Sequence, residues 1–141
     1  MITLHIAKLL EDEGFGIIDQ DLFWEEMPLD SNGNARDGIW IVTRGSELSR
    51  NGTRTQDFDI YSRSSNKVTG SKKLEDILEY ISESYDDICE LPTVPPYSLT
   101  QYYDVRITPV SGIENVGSDE QDKVVRVISG EVKYNIQKEN S

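Results

Sequence analysis

Several short stretches place side chains where chemistry would need them. Glu131-Val-Lys133, with Asp104 or Asp122 upstream, imitates the Asp…Glu-x-Lys arrangement of metal-dependent nucleases. There two carboxylates hold Mg²⁺ and the lysine steadies an attacking water. The tripeptide is common, alternation on an exposed strand face produces it, and no helper motif accompanies it here. Asp30-Ser-Asn32-Gly-Asn34 opens like a calcium loop, but the sixth position is Ala35 where the turn needs glycine. The twelfth is Ile41 where a bidentate glutamate should sit, so the segment reads as a plain loop. Gly14-Phe-Gly16 lacks the third glycine and the preceding strand of a phosphate cradle. His5 is the only histidine and has no Cys or Asp motif near it, which leaves no usual zinc site and no serine–histidine triad. Cys89 is the only cysteine, so no internal disulfide can form, and it reads as a small hydrophobe suited to a reducing compartment. Asn51-Gly-Thr53 matches a glycosylation acceptor in form alone. No constellation converges, so the sequence predicts a protein that is not an enzyme, with no catalytic residue, metal or cofactor.

The elements that must position these residues follow from periodicity. Ile2, Ile6, Leu9 and Leu10 recur at helical spacing and Gly14 offers a stop, which predicts a helix over about residues 2–13. A short extended piece at Leu22-Phe-Trp-Glu25 precedes the turn-rich loop Asp30–Gly38. Gly38-Ile-Trp-Ile-Val-Thr-Arg44 is an apolar run of strand length, suited to a strand covered on both faces. Gly45–Arg54 reads as a second turn-rich loop, with Asn51-Gly52 its sharpest turn signal. Gln56, Phe58 and Ile60 alternate with Asp57, Asp59 and Tyr61 as in a half-buried strand.

After a Ser/Asn/Gly loop at 62–70, Leu74, Ile77, Leu78, Ile81, Tyr85 and Ile88 mark one helix face, with Ser71 as its expected N-cap. Glu75, Asp76, Glu79, Glu83, Asp86 and Asp87 decorate the rest, and Leu91-Pro-Thr-Val-Pro-Pro96 ends it. Strands follow, first with Tyr103, Val105 and Ile107 inward, then over Gly112–Gly117, then from Lys123 to Ile136. In the last one the apolar phase changes from Val125 and Val127 to Val132, Tyr134 and Ile136, which predicts a β-bulge at Ser129-Gly130-Glu131. The polar tail 137–141 is expected to fray. The order predicts a single α+β domain, a mostly antiparallel or mixed sheet with two helices on one face.

Composition bounds the rest. The 141 residues are 36% hydrophobic and 28% charged, a globular balance for one domain. Against 26 acidic residues stand 14 basic ones, a formal charge of −12, which disfavours gripping nucleic acid over the whole surface. Met1–Lys8 lacks the basic and apolar regions of a signal peptide, and no stretch is long enough to span a bilayer. Two features look like interface. Arg36, Arg44, Arg50 and Arg54 gather basic charge between positions 36 and 54. The acidic turn Asp119-Glu120-Gln-Asp122 and the helix face around Glu79, Glu83 and Asp87 would complement it. On opposite sides of a subunit such patches close head-to-tail contacts into a ring; equally, both can be ordinary solvated surface. The candidate contact residues are Arg44, Arg50, Asn51, Arg54, Asp119, Glu120 and Asp122.

The arrangement resembles the tail-terminator (minor tail) family of long-tailed bacteriophages. The matching segments are the helix ending Leu9-Leu-Glu-Asp-Glu-Gly14, the run Gly38-Ile-Trp-Ile-Val42, the strand Thr55–Tyr61 and the helix Leu74–Ile81. The pattern Ile107-Thr-Pro-Val-Ser-Gly-Ile-Glu-Asn-Val-Gly117, an acidic pair, then Val124–Ile128 and Val132–Ile136 completes it. The resemblance lies in element order over most of the chain, without a diagnostic motif. It implies a structural virion protein that assembles in the host cytoplasm and sits at the junction of tail and head. Its copies would form a homo-oligomeric ring, typically a hexamer, on the last ring of the tail tube protein. One face would stop tube polymerisation and the other receive the head-completion protein, while DNA passes through the lumen without specific binding. No membrane contact is implied. An acidic lumen that repels DNA fits the charge balance. The competing classes are another head–tail connector or neck protein, an acidic DNA-mimic inhibitor of a host enzyme, and the nuclease.

Overall fold

A computed structural model describes residues 2–34, 36–84, 90–118 and 123–136. In chain order the elements are α1 (Ile2–Asp12), β1 (Leu22–Trp24), β2 (Gly38–Arg50), β3 (Thr53–Ser64), α2 (Lys67–Glu83), β4 (Tyr102–Pro109), β5 (Glu114–Ser118) and β6 (Val124–Ile136). The strands form one six-stranded mixed sheet in the order β1-β2-β3-β6-β4, with β5 sharing the outer side of β6 with β4. Among the described strands only the β1–β2 pair is parallel. Both helices lay their apolar stripes on one face, so the architecture is the α+β domain that the element order predicts.

The core is continuous. Ile6 and Leu10 of α1, with Leu74, Ile77 and Ile81 of α2, meet Ile39, Ile41, Phe58, Ile60, Ile128 and Val132 from the sheet. α1 is tied down at its start, where Thr3 Oγ1 donates to Glu25 just past β1 at 2.8 Å. α2 begins a turn earlier than Ser71. Its N-cap is Asn66, whose extended backbone lets the side chain accept from the Val68 and Thr69 N–H groups at 3.0 and 3.1 Å. The expected loop over 62–70 therefore shrinks to Ser65 and Asn66 between β3 and α2. Tyr85 and Ile88, expected on the helix face, lie outside the described residues, as do Asp86, Asp87 and Cys89.

Several strand expectations are corrected by tertiary pairing. β2 is not covered on both faces: Ile39 and Ile41 are buried under the helices, while Trp40 and Val42 are half-buried on the reverse face. There Trp40 stacks on Tyr61, centroids 4.9 Å apart, and Tyr61 lies opposite Val127. Gly45–Arg50 is not a loop either. β2 continues through it and turns back at Asn51-Gly52, where φ values of 54° and 82° make the tight turn that asparagine and glycine tolerate. In β4 the inward residue is Tyr102 rather than Tyr103, because a register irregularity between Tyr103 and Arg106 resets the alternation.

The bulge expected in β6 is absent. The β3–β6 ladder runs without a shift from Ser64 opposite Val124 to Arg54 opposite Tyr134. Ile128, Gly130, Val132 and Tyr134 share the core face, and Val125 and Val127 belong to the reverse face. The slip of phase read from the sequence arises because the core-facing position between them is a glycine. It is needed there: a Cβ on Gly130 would stand 2.6 Å from Cζ of the buried Phe58. Gly130→Ala should therefore lower stability by about 1–3 kcal/mol, read as a reduced urea midpoint at unchanged slope. An unchanged midpoint would mean that Phe58 moves aside freely and that the contact does not fix the ladder.

Candidate interaction surface

The far end of the β2–β3 hairpin is the most exposed regular structure among the described residues, with every residue from Arg44 to Thr53 open to solvent. It also carries an open edge, since β1 pairs with β2 only at Ile39–Ile41 and no described strand continues along that side. Such an arm needs anchors if it is to present one shape. The first is Gln56. β2 carries extra residues between Arg44 and Leu48 that β3 does not match. The Gln56 side chain, 5% exposed, fills the irregularity by donating to the Arg44, Gly45 and Asp57 carbonyls at 3.3, 3.2 and 2.8 Å.

The second anchor is Glu47. Its carboxylate accepts from Arg54 at 3.3 Å and from the hydroxyl of Tyr134 on β6. Burial, then the bond to Glu47, pushes the Tyr134 phenol well above its ordinary value, so it stays a donor. Behind it, Tyr134 meets Tyr102 edge to face at 5.2 Å, and Tyr102 meets His5 at 4.7 Å. His5 is fully buried between the Pro92 carbonyl at Nδ1 and Ser98 Oγ at Nε2, both 2.8 Å away. A carbonyl can only accept, which assigns the ring proton to Nδ1 and leaves Nε2 to accept from the serine. One chain of contacts thus joins α1 to the base of the arm.

The arginines do not form one patch. Arg36 lies away from the arm, donating to the Gln20 carbonyl at 2.9 Å with its guanidinium over the Phe23 ring. Arg44 pairs with Asp59 at 3.2 Å on the reverse face, and Ser129 Oγ donates to the same carboxylate oxygen at 2.7 Å. Arg54 is bound to Glu47. Arg50, exposed beside the Asn51 turn, is the arm's one cation without a partner among the described residues. Of the acidic positions, Asp119, Glu120 and Asp122 lie outside the described residues, as does Asp87, while Glu79 and Glu83 are exposed on α2.

The chemical candidates separate in space. Glu131 lies opposite Thr108 of β4, whereas Asp104 accepts from Asn135 at 3.1 Å, four residues further along β6 or about 13 Å. Lys133 is 3.8 Å from Glu131. The Asp57 carboxylate, opposite Glu131 across the β3–β6 ladder, is a neighbour that the one-dimensional pattern does not show. The Asp30 carboxylate is taken up by its own loop, accepting from the Asn32 and Asn34 N–H groups at 2.8 and 3.0 Å. Among the described residues no three His, Cys, Asp or Glu side chains gather to hold a metal. No helix there is long and apolar enough to cross a membrane. No protein-family profile matches the sequence, and no characterised protein matches it either.

The anchors make two predictions. Gln56→Leu strands the Arg44 and Gly45 carbonyls, so amide exchange over residues 45–50 should accelerate while α2 and the β3–β6 ladder stay protected. Exchange at the native rate over 45–50 would show that the arm does not depend on Gln56. Burial, the largest effect on His5, holds its pKa below the usual 6.5, against the opposing bond to Pro92. The unfolded chain therefore takes the proton first. The His5 contribution to stability is complete above about pH 6.5 and declines below it, levelling once the folded state also protonates. Denaturant midpoints should fall between about pH 7.5 and pH 5.5 in the native protein and much less in His5→Gln. Equal slopes in both would assign the loss to other groups.

Proposed function

We propose that this chain is a structural subunit of a long-tailed bacteriophage, one that caps the tail tube as a ring, stops its polymerisation and offers the surface for head joining. The observation that carries the reading is the β2–β3 arm, an exposed hairpin with an open edge that is nevertheless anchored at Gln56 and Glu47. An anchored arm loses little conformational freedom on binding, which is what a contact element repeated around a ring requires. The described segments of the resemblance, from α1 through the hairpin and α2 to β6, fall mostly in regular elements of one domain, with Glu13-Gly14 and residues 110–113 as connections between them. The charge of −12 supports passage of DNA through a lumen without adhesion. The partners under this reading are other copies of the chain, the tail tube protein and the head-completion protein.

Purified chain added to polymerising tail tube protein should bind at tube ends and arrest elongation, visible as shorter tubes in negative stain. Tubes that lengthen as they do alone would contradict the proposal. Arg50→Glu is the cleaner probe of the arm, since Arg54→Glu would also set two carboxylates beside Tyr134. The expected result is weakened capping with an unchanged unfolding midpoint; capping at native strength would remove Arg50 from the contact.

A further inference from the structure

A groove of about 600 Å³ opens on the outward side of α1, away from the arm's own contacts. Leu4 of α1, Ile18, Trp24 of β1, Val94, Pro95 and Tyr97 line it with mostly apolar surface. Tyr97 is 77% exposed, so its ring is available to a docking partner. The polar groups at the rim are not equivalent. Lys8 is engaged by Glu11 and Asp12 at 2.9 and 3.3 Å, and Glu11 also accepts from the Ile18 N–H at 2.7 Å. Asp19 is different: its backbone is held by Leu22 and Arg36, but its carboxylate has no partner among the described residues.

The arm carries the complement of that arrangement. Leu48 is its single large apolar side chain and is 70% exposed, far more than a leucine on a supported strand needs to be. Two residues on stands Arg50, the cation without a partner. Residues i and i+2 of a strand point to the same side, so Leu48 and Arg50 face one way together about 7 Å apart. An apolar group and a cation at that spacing match an apolar floor with one free carboxylate at its edge.

We propose that the arm of one copy docks into the α1 groove of a second copy, with Leu48 on the floor beside Trp24 and Arg50 paired to Asp19. The proposal deepens the reading that copies of this chain assemble, by naming the contact they use. Charge complementarity favours a second copy as the occupant. Copies with a charge of −12 repel at long range, and the groove's free carboxylate meets one of the few uncompensated cations that this chain exposes.

The test is sedimentation of the full chain over a wide concentration range, for the native protein and for Leu48→Glu, Arg50→Asp, Asp19→Arg and the combined charge swap Arg50→Asp/Asp19→Arg. All these side chains are exposed; Asp19 also sits at φ 70°, where arginine is less at ease than aspartate, so the fold of each variant is checked by circular dichroism and its unfolding midpoint. Each single substitution should weaken self-association about tenfold or more, and the swap should restore most of the loss. In a Trp40→Phe background the emission of Trp24 should also shift to the blue as copies associate. Native self-association with no response to any substitution would overturn the docking while leaving the ring reading intact. A monomer at every concentration would overturn it too, with tube capping still able to succeed on its own. A swap-sensitive closed dimer would uphold the docking and contradict the ring.

Discussion

β3 and β6 pair without interruption from Ser64–Val124 to Arg54–Tyr134, and the positions of the other parts follow from that ladder. It sets Phe58 against Gly130, so the core closes where a side chain on β6 would have prevented it. It carries β4 and β5 on its far side and α2 across its face. At its upper end it puts the Tyr134 hydroxyl under Glu47, and so holds the arm of β2, which no described strand pairs on its other side. A slip of one residue would turn Tyr134 and Val132 out of the core and detach the arm in the same step.

Electrostatics then decide which parts of the surface remain available. The chain has few cations, and most of those on or near the hairpin are spent inside the subunit: Arg44 on Asp59, Arg54 on Glu47, Arg36 on backbone carbonyls and Phe23. Such half-exposed pairs add little stability individually. Their larger effect is to fix side chains and leave few uncompensated cations among the described residues, of which Arg50 is the clearest example. In a strongly acidic protein a sparse cation is more selective than a basic patch, because it meets few competing carboxylates in the right apolar setting.

Much of the fold was legible in the sequence because periodicity is a local property. Leu74, Ile77 and Ile81 mark a helix whatever surrounds them, and the Phe58–Ile60 alternation marks a strand. The misreadings fall where a distant partner decides. Gly45, Ser46 and Ser49 look like loop residues, yet pairing with β3 and the Gln56 side chain extend β2 through them. Gly130 mimics a phase change because its purpose lies on Phe58, far away in sequence. Ser71 and Asn66 are both good caps, and the choice between them rests on where β3 ends. The arm's turn was visible as Asn51-Gly52, but the fates of its arginines were not, since Asp59 and Glu47 reach them only through the hairpin register. The α1 groove had no local signature at all, being assembled from residues between Leu4 and Tyr97.

Tail capping is tested in the phage itself by a stop codon early in the gene for this chain, with electron microscopy of the resulting lysate. Loss of a capping subunit should leave overlong or unjoined tails beside filled heads that lack tails. Normal virions at normal yield would contradict it.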